Sequence, residues 1–196
     1  TGELKLRAIV VGGAVGGRNA ALWLRDLGCD VNVFERTPHP LEGRGAGIVM
    51  HPSTIRYFKE HGTLDLNEVG SAANAFRYID AGDQIAHEEA CQYRFTAYTP
   101  LYRAFLQRLD ADRYHLGEEL TSFEQDDESV TAHFASGRSV SGDILICADG
   151  VNSTGRRQIE PEVQPEYAGY IAWRGTVPEH RLGAAGQRVL RDSIAY

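Results

Sequence analysis

The spacing of apolar residues near the start of the chain predicts a strand, a helix and a second strand. A mostly apolar run over residues 4–11 is typical of a buried parallel strand. Apolar side chains at helical spacing predict a helix over residues 15–27, with Gly28 as its stop. Val31, Val33 and Phe34 predict the second strand, so this part of the chain is expected to form a parallel βαβ unit.

The remaining apolar pattern predicts a short helix, a hairpin and several further strands. Thr99 and Pro100 are expected to be the N-cap and first residue of another helix, which runs through Leu109. The last of the strands is expected to belong to a different sheet. Apart from the helix that starts at Thr99, the elements cover, in chain order, residues 54–60, 76–88, 94–98, 120–124, 130–135, 139–148 and 167–175.

The composition is that of a globular protein and argues against several classes of function. The 196 residues are 42% hydrophobic and 24% charged, and the net charge of −7 gives no indication of a nucleic-acid partner. Three cysteines without a Cys-x-x-Cys pair favour a reducing, cytoplasmic environment, and the dispersed histidines predict no metal site. The sequence has no apolar run long enough for a membrane span, and we expect no signal peptide.

A glycine-rich turn between the first strand and the helix is the strongest indication of function. Gly12, Gly13 and Gly17 are typical of a turn that brings a helix start close to the pyrophosphate of a dinucleotide. Ala14 stands where the backbone approaches the phosphates most closely. Glu35 follows 23 positions after Gly12 (35 − 12), near the ~20-residue spacing of an acid that binds ribose hydroxyls. Its charge would repel a 2′-phosphate, which favours FAD or NAD over NADP; the alternative is an exposed strand-end acid.

Charged residues elsewhere border this predicted site. Asp149 comes directly after an apolar strand, where ligands of parallel sheets bind, although Asp-Gly is also a common turn dipeptide. Arg18 lies in the first turn of the predicted helix, where a cation opposes the helix dipole. We expect its side chain to point into solvent, and the alternative is a contact with phosphate. Arg156 and Arg157 either meet a phosphate of a nicotinamide cofactor or are solvated.

Three segments are characteristic in their amino-acid sequence and in their order along the chain. They are VVGGAVGG followed by Glu35-Arg36, the loop GRGAGIVMHP, and CADGVNSTGRR. With these segments the chain resembles the group A flavoprotein aromatic hydroxylases of the p-hydroxybenzoate hydroxylase type, and with YAGYIAWRG it most resembles their 2,6-dihydroxypyridine 3-hydroxylase branch. The resemblance implies an α/β fold, with a Rossmann-like FAD-binding domain of three-layer β/β/α character over residues 1–72 and 99–160. Residues 73–98 and 161–196 would be the start of a substrate-domain β-sheet.

The resemblance also implies which residues bind FAD. Contacts with the cofactor are expected from Gly12, Gly13, Ala14, Val15, Gly17, Glu35, Arg36, Gly45, Ala46, Gly47, Arg103, Leu120 and Asp149, the last of which belongs to the Asp-Gly element. Among these, residues 45–47 would line the ribityl chain and the ring, Arg103 would approach the flavin chain or the pyrophosphate, and the backbone at Leu120 would border the adenine. No catalytic residue is assigned. His51 is a candidate to face the ring or the substrate, and the alternative is an ordinary loop histidine.

The function implied by the resemblance is hydroxylation of an electron-rich aromatic or hydroxypyridine-like ring, with FAD as cofactor and NADH or NADPH and dioxygen as co-substrates. Alternatives are another FAD-dependent oxidoreductase, such as an oxidase or a halogenase, and a non-catalytic dinucleotide-binding fragment. The family's later Gly-Asp motif does not occur after Asp149, so we expect the rest of the substrate domain to be missing from this chain. The sequence leaves the oligomeric state open, with a homodimer among the alternatives.

Overall fold

The chain divides into two compact units in the computed structural model, which describes residues 5–43, 47–62, 64–172 and 177–196. The first unit is formed by Thr1–Glu42 and Tyr102–Ile171, and the second by Gly43–Leu101 and Ala172–Tyr196. The assignment of a cofactor domain and a substrate domain to particular residues stays a prediction.

Strands predominate over helices in both units. The strands are β1 (Arg7–Val11), β2 (Asp30–Glu35), β3 (Gly47–Val49), β4 (Ser71–Ile79), β5 (Ile85–Ala97), β6 (Tyr114–Leu116), β7 (Leu120–Gln125), β8 (Val130–Phe134), β9 (Ser139–Gly142), β10 (Ile144–Cys147) and β11 (Ser193–Ala195). The helices are α1 (Val15–Asp26), α2 (Arg56–His61), α3 (Leu66–Val69), α4 (Tyr98–Leu106), α5 (Thr154–Ile159) and α6 (Ala184–Leu190). Short 3₁₀ helices cover Ala111–Arg113 and Glu179–Arg181.

A four-stranded parallel sheet, in the order β10-β1-β2-β6, is the framework of the first unit. The helix α1 connects β1 to β2 and buries Ala21 and Leu22. The predicted βαβ unit is therefore confirmed. Val11, the last residue of β1, pairs with Phe34 on one side and with Cys147 on the other. The residues that follow these three strands consequently lie side by side at the carboxyl edge of the sheet.

A three-stranded antiparallel sheet, β7-β8-β9, covers one face of the parallel sheet. One apolar cluster joins Ile9, Val11 and Phe34 of the parallel sheet to Leu120 and Phe134 of the antiparallel sheet. The rings of Phe34 and Phe134 stack with their centroids 4.6 Å apart. Alternate residues of the parallel strands point to the other face, which carries α1. This layering confirms the predicted α/β fold with β/β/α character.

The second unit is built on a mixed sheet in the order β11-β4-β5-β3. Strands β4 and β5 form a long antiparallel hairpin, which extends well beyond the predicted residues 76–88. The turn between the two strands lies inside that predicted range, where the Asp80 carboxylate accepts hydrogen bonds from the backbone N–H groups of Gly82 and Gln84 at 2.8 and 2.9 Å.

Predicted boundaries are also wrong at helix α4 and over residues 139–148. Helix α4 begins at Tyr98, so Thr99 lies inside the helix and is not its N-cap. Residues 139–148 form two strands, because β9 pairs with β8 whereas β10 pairs with β1. The chain passes from one sheet to the other at Asp143, whose carboxylate accepts a hydrogen bond from the backbone N–H of Arg7 at 2.7 Å. That contact fixes the point of crossing.

The predicted strand over residues 167–175 is wrong over its described part. Residues 167–172 form no strand, and the side chain of Tyr170 within them is 74% exposed. An apolar alternation without a neighbouring strand to pair with does not by itself form a sheet. Trp173 and Arg174 lie outside the described residues.

Neither a membrane-spanning helix nor a metal centre is present in the described part of the chain. None of its helices combines the length and the apolar character needed to cross a bilayer. Its His, Cys, Asp and Glu side chains form no group of three or more that could hold a metal ion.

Candidate functional site

The glycine turn lies between the end of β1 and the start of α1. Gly12 adopts a φ of +105°, and a β-carbon there would overlap the carbonyl oxygen of Ala148. Its backbone N–H donates to the carbonyl of Phe34 at 2.8 Å, which fixes the turn to β2. Gly17 is buried against the carbonyl of Gly12, so a side chain there would also overlap the turn. The turn is therefore held between β2 and β10 by contacts that exclude side chains.

Glu35 is buried against this turn, with only 5% of its surface exposed. Its Oε2 accepts a hydrogen bond from the backbone N–H of Gly13 at 2.7 Å, and its Oε1 accepts one from the backbone N–H of Thr37 at 2.9 Å. The alternative interpretation of Glu35 as an exposed strand-end acid is thus wrong. A carboxylate has about four acceptor positions, so further positions stay available for a ligand hydroxyl. The ribose contact stays a prediction.

The start of α1 offers backbone N–H groups without a side-chain cap. Ala14 is the N-cap residue in extended conformation, and among the described residues no side chain caps this end and no acidic residue lies in the first turn. Val15 and Ala14 are half-buried, and Gly16 is exposed. Uncapped N–H groups and the positive end of the helix dipole together favour an anion at this position.

Arg18 contradicts the expectation that its side chain points into solvent. The residue is 0% exposed, and its guanidinium carbon lies 3.6 Å from the ring centroid of Tyr102 and 4.5 Å from that of Tyr114. Its Nη1 donates to the backbone carbonyl of Tyr102 at 3.1 Å. Its Nε and Nη2 have no hydrogen-bond partner among the described residues. The two tyrosines lie far from Arg18 in sequence, so no local pattern indicates this pocket.

Tyr114 is a further residue that sequence reasoning missed. It lies on β6 opposite Val33, and its hydroxyl is so close to Gly13 that a β-carbon there would overlap it. The hydroxyl is buried and forms no hydrogen bond of ordinary geometry within the described ranges. Burial, more than any neighbouring group, raises the pKa of Tyr114. The phenol is therefore a neutral potential hydrogen-bond donor beside the turn.

Asp149 follows β10 and supports the start of α5. Its Oδ1 accepts from the Ser153 hydroxyl at 2.5 Å, and its Oδ2 accepts from the backbone N–H of Thr154 at 2.7 Å. Its backbone nitrogen lies 3.0 Å from where a β-carbon on Gly12 would be. The expected proximity of Asp149 to the glycine turn is confirmed, while its contact with a cofactor stays a prediction.

The remaining candidates of the first unit lie away from this turn or on its border. Arg103 is exposed and forms a two-bond ion pair with Glu42, at 2.9 and 2.7 Å. Hydrogen bonding from Arg103 holds the pKa of Glu42 below its usual value. Arg36 is exposed directly after Glu35, and Leu120 is buried in the apolar cluster at the start of β7. Their roles in cofactor binding stay predictions.

The predicted flavin loop belongs to the second unit. Gly45 and Ala46 lie outside the described residues. Gly47 begins β3, where it pairs with Ala97, and is exposed. His51 is also exposed, two residues after the end of β3. The structure therefore leaves the flavin contacts and the candidate role of His51 as predictions.

Comparison with known proteins identifies the family. A family described as FAD binding domain matches residues 5–182. The chain belongs to this family. It is 38% identical over 192 residues to the 2,6-dihydroxypyridine 3-monooxygenase of Paenarthrobacter nicotinovorans, covering 97% of this chain and 48% of that protein. It is 32% identical over 190 residues to the 6-hydroxynicotinate 3-monooxygenase of Pseudomonas fluorescens, covering 91% of this chain and 49% of that protein.

Two of the solved structures that match this chain have the same fold. The 2,6-dihydroxypyridine-3-hydroxylase of Arthrobacter nicotinovorans matches with a TM-score of 0.78 and 36% identity, over 84% of this chain and 42% of that one. Klebsiella pneumoniae HpxO, complexed with FAD and uric acid, matches with a TM-score of 0.67 and 27% identity, over 78% and 41% of the two chains. The resemblance to FAD-dependent aromatic hydroxylases is thus confirmed. The chain spans about half the length of the curated relatives it matches.

Proposed function

We propose that the chain carries the ADP-binding part of the FAD site in a monooxygenase that hydroxylates an electron-rich aromatic or hydroxypyridine-like ring. NADH or NADPH would be the reductant and dioxygen the oxidant. The observation that carries the proposal is the 2.7 Å hydrogen bond from the Gly13 N–H to the buried Glu35 carboxylate. It joins the phosphate-binding turn to the proposed ribose-binding acid in one rigid unit.

The residues present fit the ADP part of FAD. Gly12 and Gly13 themselves carry no side chains that would block phosphate oxygens, and the start of α1, which has no side-chain cap, offers N–H donors to them. Glu35 has free acceptor positions for the ribose hydroxyls, and its negative charge opposes a 2′-phosphate. When bound, the flavin supplies the redox chemistry, whereas these residues supply binding and orientation.

The substrate class is proposed from the relatives. Two of them are named for oxidation of hydroxypyridine-type rings, 2,6-dihydroxypyridine and 6-hydroxynicotinate. A third, from Streptomyces cremeus, is a 3-amino-4-hydroxybenzoate 2-monooxygenase and is 34% identical over 185 residues, covering 88% of this chain and 46% of that protein. All three names describe rings that carry an electron-donating hydroxyl group. We infer the same ring chemistry for the protein to which this chain contributes.

Flavin binding by the chain itself is the first test. Titration of FAD with the purified protein should quench its flavin fluorescence. The fluorescence of FMN and of riboflavin should be quenched much less, because FMN lacks the AMP part of FAD and riboflavin lacks the whole ADP part. Competition by ADP should release the FAD. If FAD and FMN bind equally well, or if FAD does not bind, the assignment of the glycine turn to ADP is wrong.

The reaction type needs a second measurement on a chain that binds FAD. NADH or NADPH consumption should be stimulated by one of the three rings named above, and mass spectrometry should find the ring with one oxygen atom from labelled dioxygen. Reductant consumption without a hydroxylated product would favour an oxidase or halogenase instead. FAD binding without reductant consumption would favour the alternative that the chain is a non-catalytic dinucleotide-binding fragment. The homodimer and the cytoplasmic location stay predictions.

A further inference from the structure

Arg18 is a buried cation without an anionic partner. The residue is fully buried, and none of the described residues forms an ion pair with its guanidinium. A buried charge without a counter-charge is costly, because the protein interior solvates it poorly compared with water. Two of its three nitrogens, Nε and Nη2, also lack a hydrogen-bond acceptor. Such a group is expected where a bound anion completes its environment.

The protein groups around Arg18 only partly compensate for its charge. The faces of Tyr102 and Tyr114 lie against the guanidinium, and one backbone carbonyl accepts from Nη1. Aromatic faces attract a cation through their quadrupole, but they carry no net charge. They therefore hold the guanidinium in a fixed place and leave its full positive charge unneutralised.

The position of Arg18 places that charge beside the glycine turn. It is the fourth residue of α1, and its backbone N–H donates to the carbonyl of Ala14 at 3.1 Å. Helical side chains lean toward the N-terminus of their helix, which here is the end formed by the turn. Tyr114, which contacts the guanidinium with its ring, touches Gly13 with its hydroxyl. The unpartnered cation and the uncapped helix start thus belong to one cluster.

We propose that Arg18 is a positioning residue for the pyrophosphate of FAD, the buried counter-charge that offsets the phosphates at the start of α1. The proposal rests on the function proposed above and extends it to a residue outside the glycine motif. Because the guanidinium is buried, salt screens its attraction to the phosphates much less than it screens an exposed arginine. Its charge should therefore favour ligands with phosphates over the same ligands without them.

The test compares ADP with adenosine as ligands of the full chain. Replacing Arg18 by Met keeps an unbranched side chain between the two rings and removes the charge. We expect the Kd of ADP to rise about 10- to 100-fold, the range expected for loss of an interaction with a charged group, while the Kd of adenosine stays within about twofold. R18K, which keeps the charge, should lose less ADP affinity than R18M. The matched control is R25M, seven positions further along the same helix (25 − 18), which should leave both constants unchanged.

The outcomes separate this inference from the proposed function. Equal loss of ADP and adenosine affinity in R18M would show that Arg18 only packs the turn, and unchanged ADP affinity would show that its charge is not used; either result overturns the proposal. If R18M does not fold, as judged by circular dichroism, R18Q replaces it, with the same expected result. A wild-type chain that binds adenosine but not ADP would overturn both proposals. If the wild-type chain binds ADP and R18M binds it with the same affinity, only the inference about Arg18 is overturned.

Discussion

Glu35→Gln is the perturbation that most directly tests how the glycine turn is held. In the native turn both carboxylate oxygens accept hydrogen bonds from backbone N–H groups, those of Gly13 and Thr37. Glutamine keeps one acceptor oxygen and replaces the other by an NH₂ group. Whichever way the amide is oriented, one backbone N–H then faces another donor. The substitution is nearly isosteric, so it changes hydrogen bonding and charge with little change in packing.

The expected loss of stability can be worked out from these two bonds. A hydrogen bond to a charged group contributes about 1.5–3 kcal/mol, and a neutral one about 1 kcal/mol. Glutamine loses one charge-assisted bond and weakens the other, so we expect the free energy of unfolding to fall by about 2–4 kcal/mol. That loss is a large part of the ~5–15 kcal/mol by which proteins of this size are stable, yet it still allows a folded variant.

The assay is equilibrium unfolding in urea near neutral pH, followed by circular dichroism, on the protein without flavin. Glu124→Gln is the matched control, because its side chain on β7 is 86% exposed and its stability should change by less than about 0.5 kcal/mol. A Glu35 variant that is as stable as this control would refute the role of the carboxylate in holding the turn. A stable Glu35 variant that nevertheless loses FAD affinity would assign the acid to the ligand alone.

Three further substitutions test other parts of the site. Ala14→Gly should raise stability by about 0.5 kcal/mol, because glycine is the better N-cap, and should lower the Kd for FAD in a fluorescence titration by removing a methyl group where the phosphates approach. Asp149→Asn should cost about 1–2 kcal/mol in urea unfolding, since an amide cannot accept from both the Ser153 hydroxyl and the Thr154 N–H. With Asp143→Asn, the free energy of unfolding should fall less steeply as the pH is lowered into the acid range. Hydrogen bonds from Arg7 hold the pKa of Asp143 below its usual value, so this contribution is present above the ordinary carboxyl pKa and is lost as the pH falls through the lowered one.

The parts of the fold that follow from local patterns could be predicted from the sequence. The alternation of strand, glycine turn, helix and strand needs only neighbouring residues, and β1, α1 and β2 form as expected. The proximity of Gly12, Glu35 and Asp149 also follows, because each lies at the carboxyl end of a parallel strand and parallel strands end at one edge. The hydrogen-bond partners of Glu35 and Asp149 inside the protein could not be predicted from the sequence, since the same carboxylate can bind a ligand or a backbone N–H.

Features that depend on pairing between distant segments could not be predicted. The apolar run over residues 139–148 is uniform in sequence, and only the neighbours of each half divide it between two sheets. The pocket of Arg18 is formed by tyrosines 84 and 96 positions away (102 − 18 and 114 − 18). A cation in the first turn of a helix normally opposes the helix dipole, so the sequence near Arg18 predicted that its side chain points into solvent. Burial between two aromatic faces overrode it.

The charges around the glycine turn suggest why a buried arginine is useful there. The Glu35 carboxylate lies directly against Gly13, so its negative charge is close to the proposed place of the phosphates and opposes them. The helix start offers only partial positive charge, and no side chain of the described residues caps it. Arg18 adds a full positive charge on the side of the turn that Tyr114 occupies. An acid that fixes the turn, and that is proposed to bind the ribose, would then be compatible with phosphate binding, because a second buried charge of opposite sign offsets its charge.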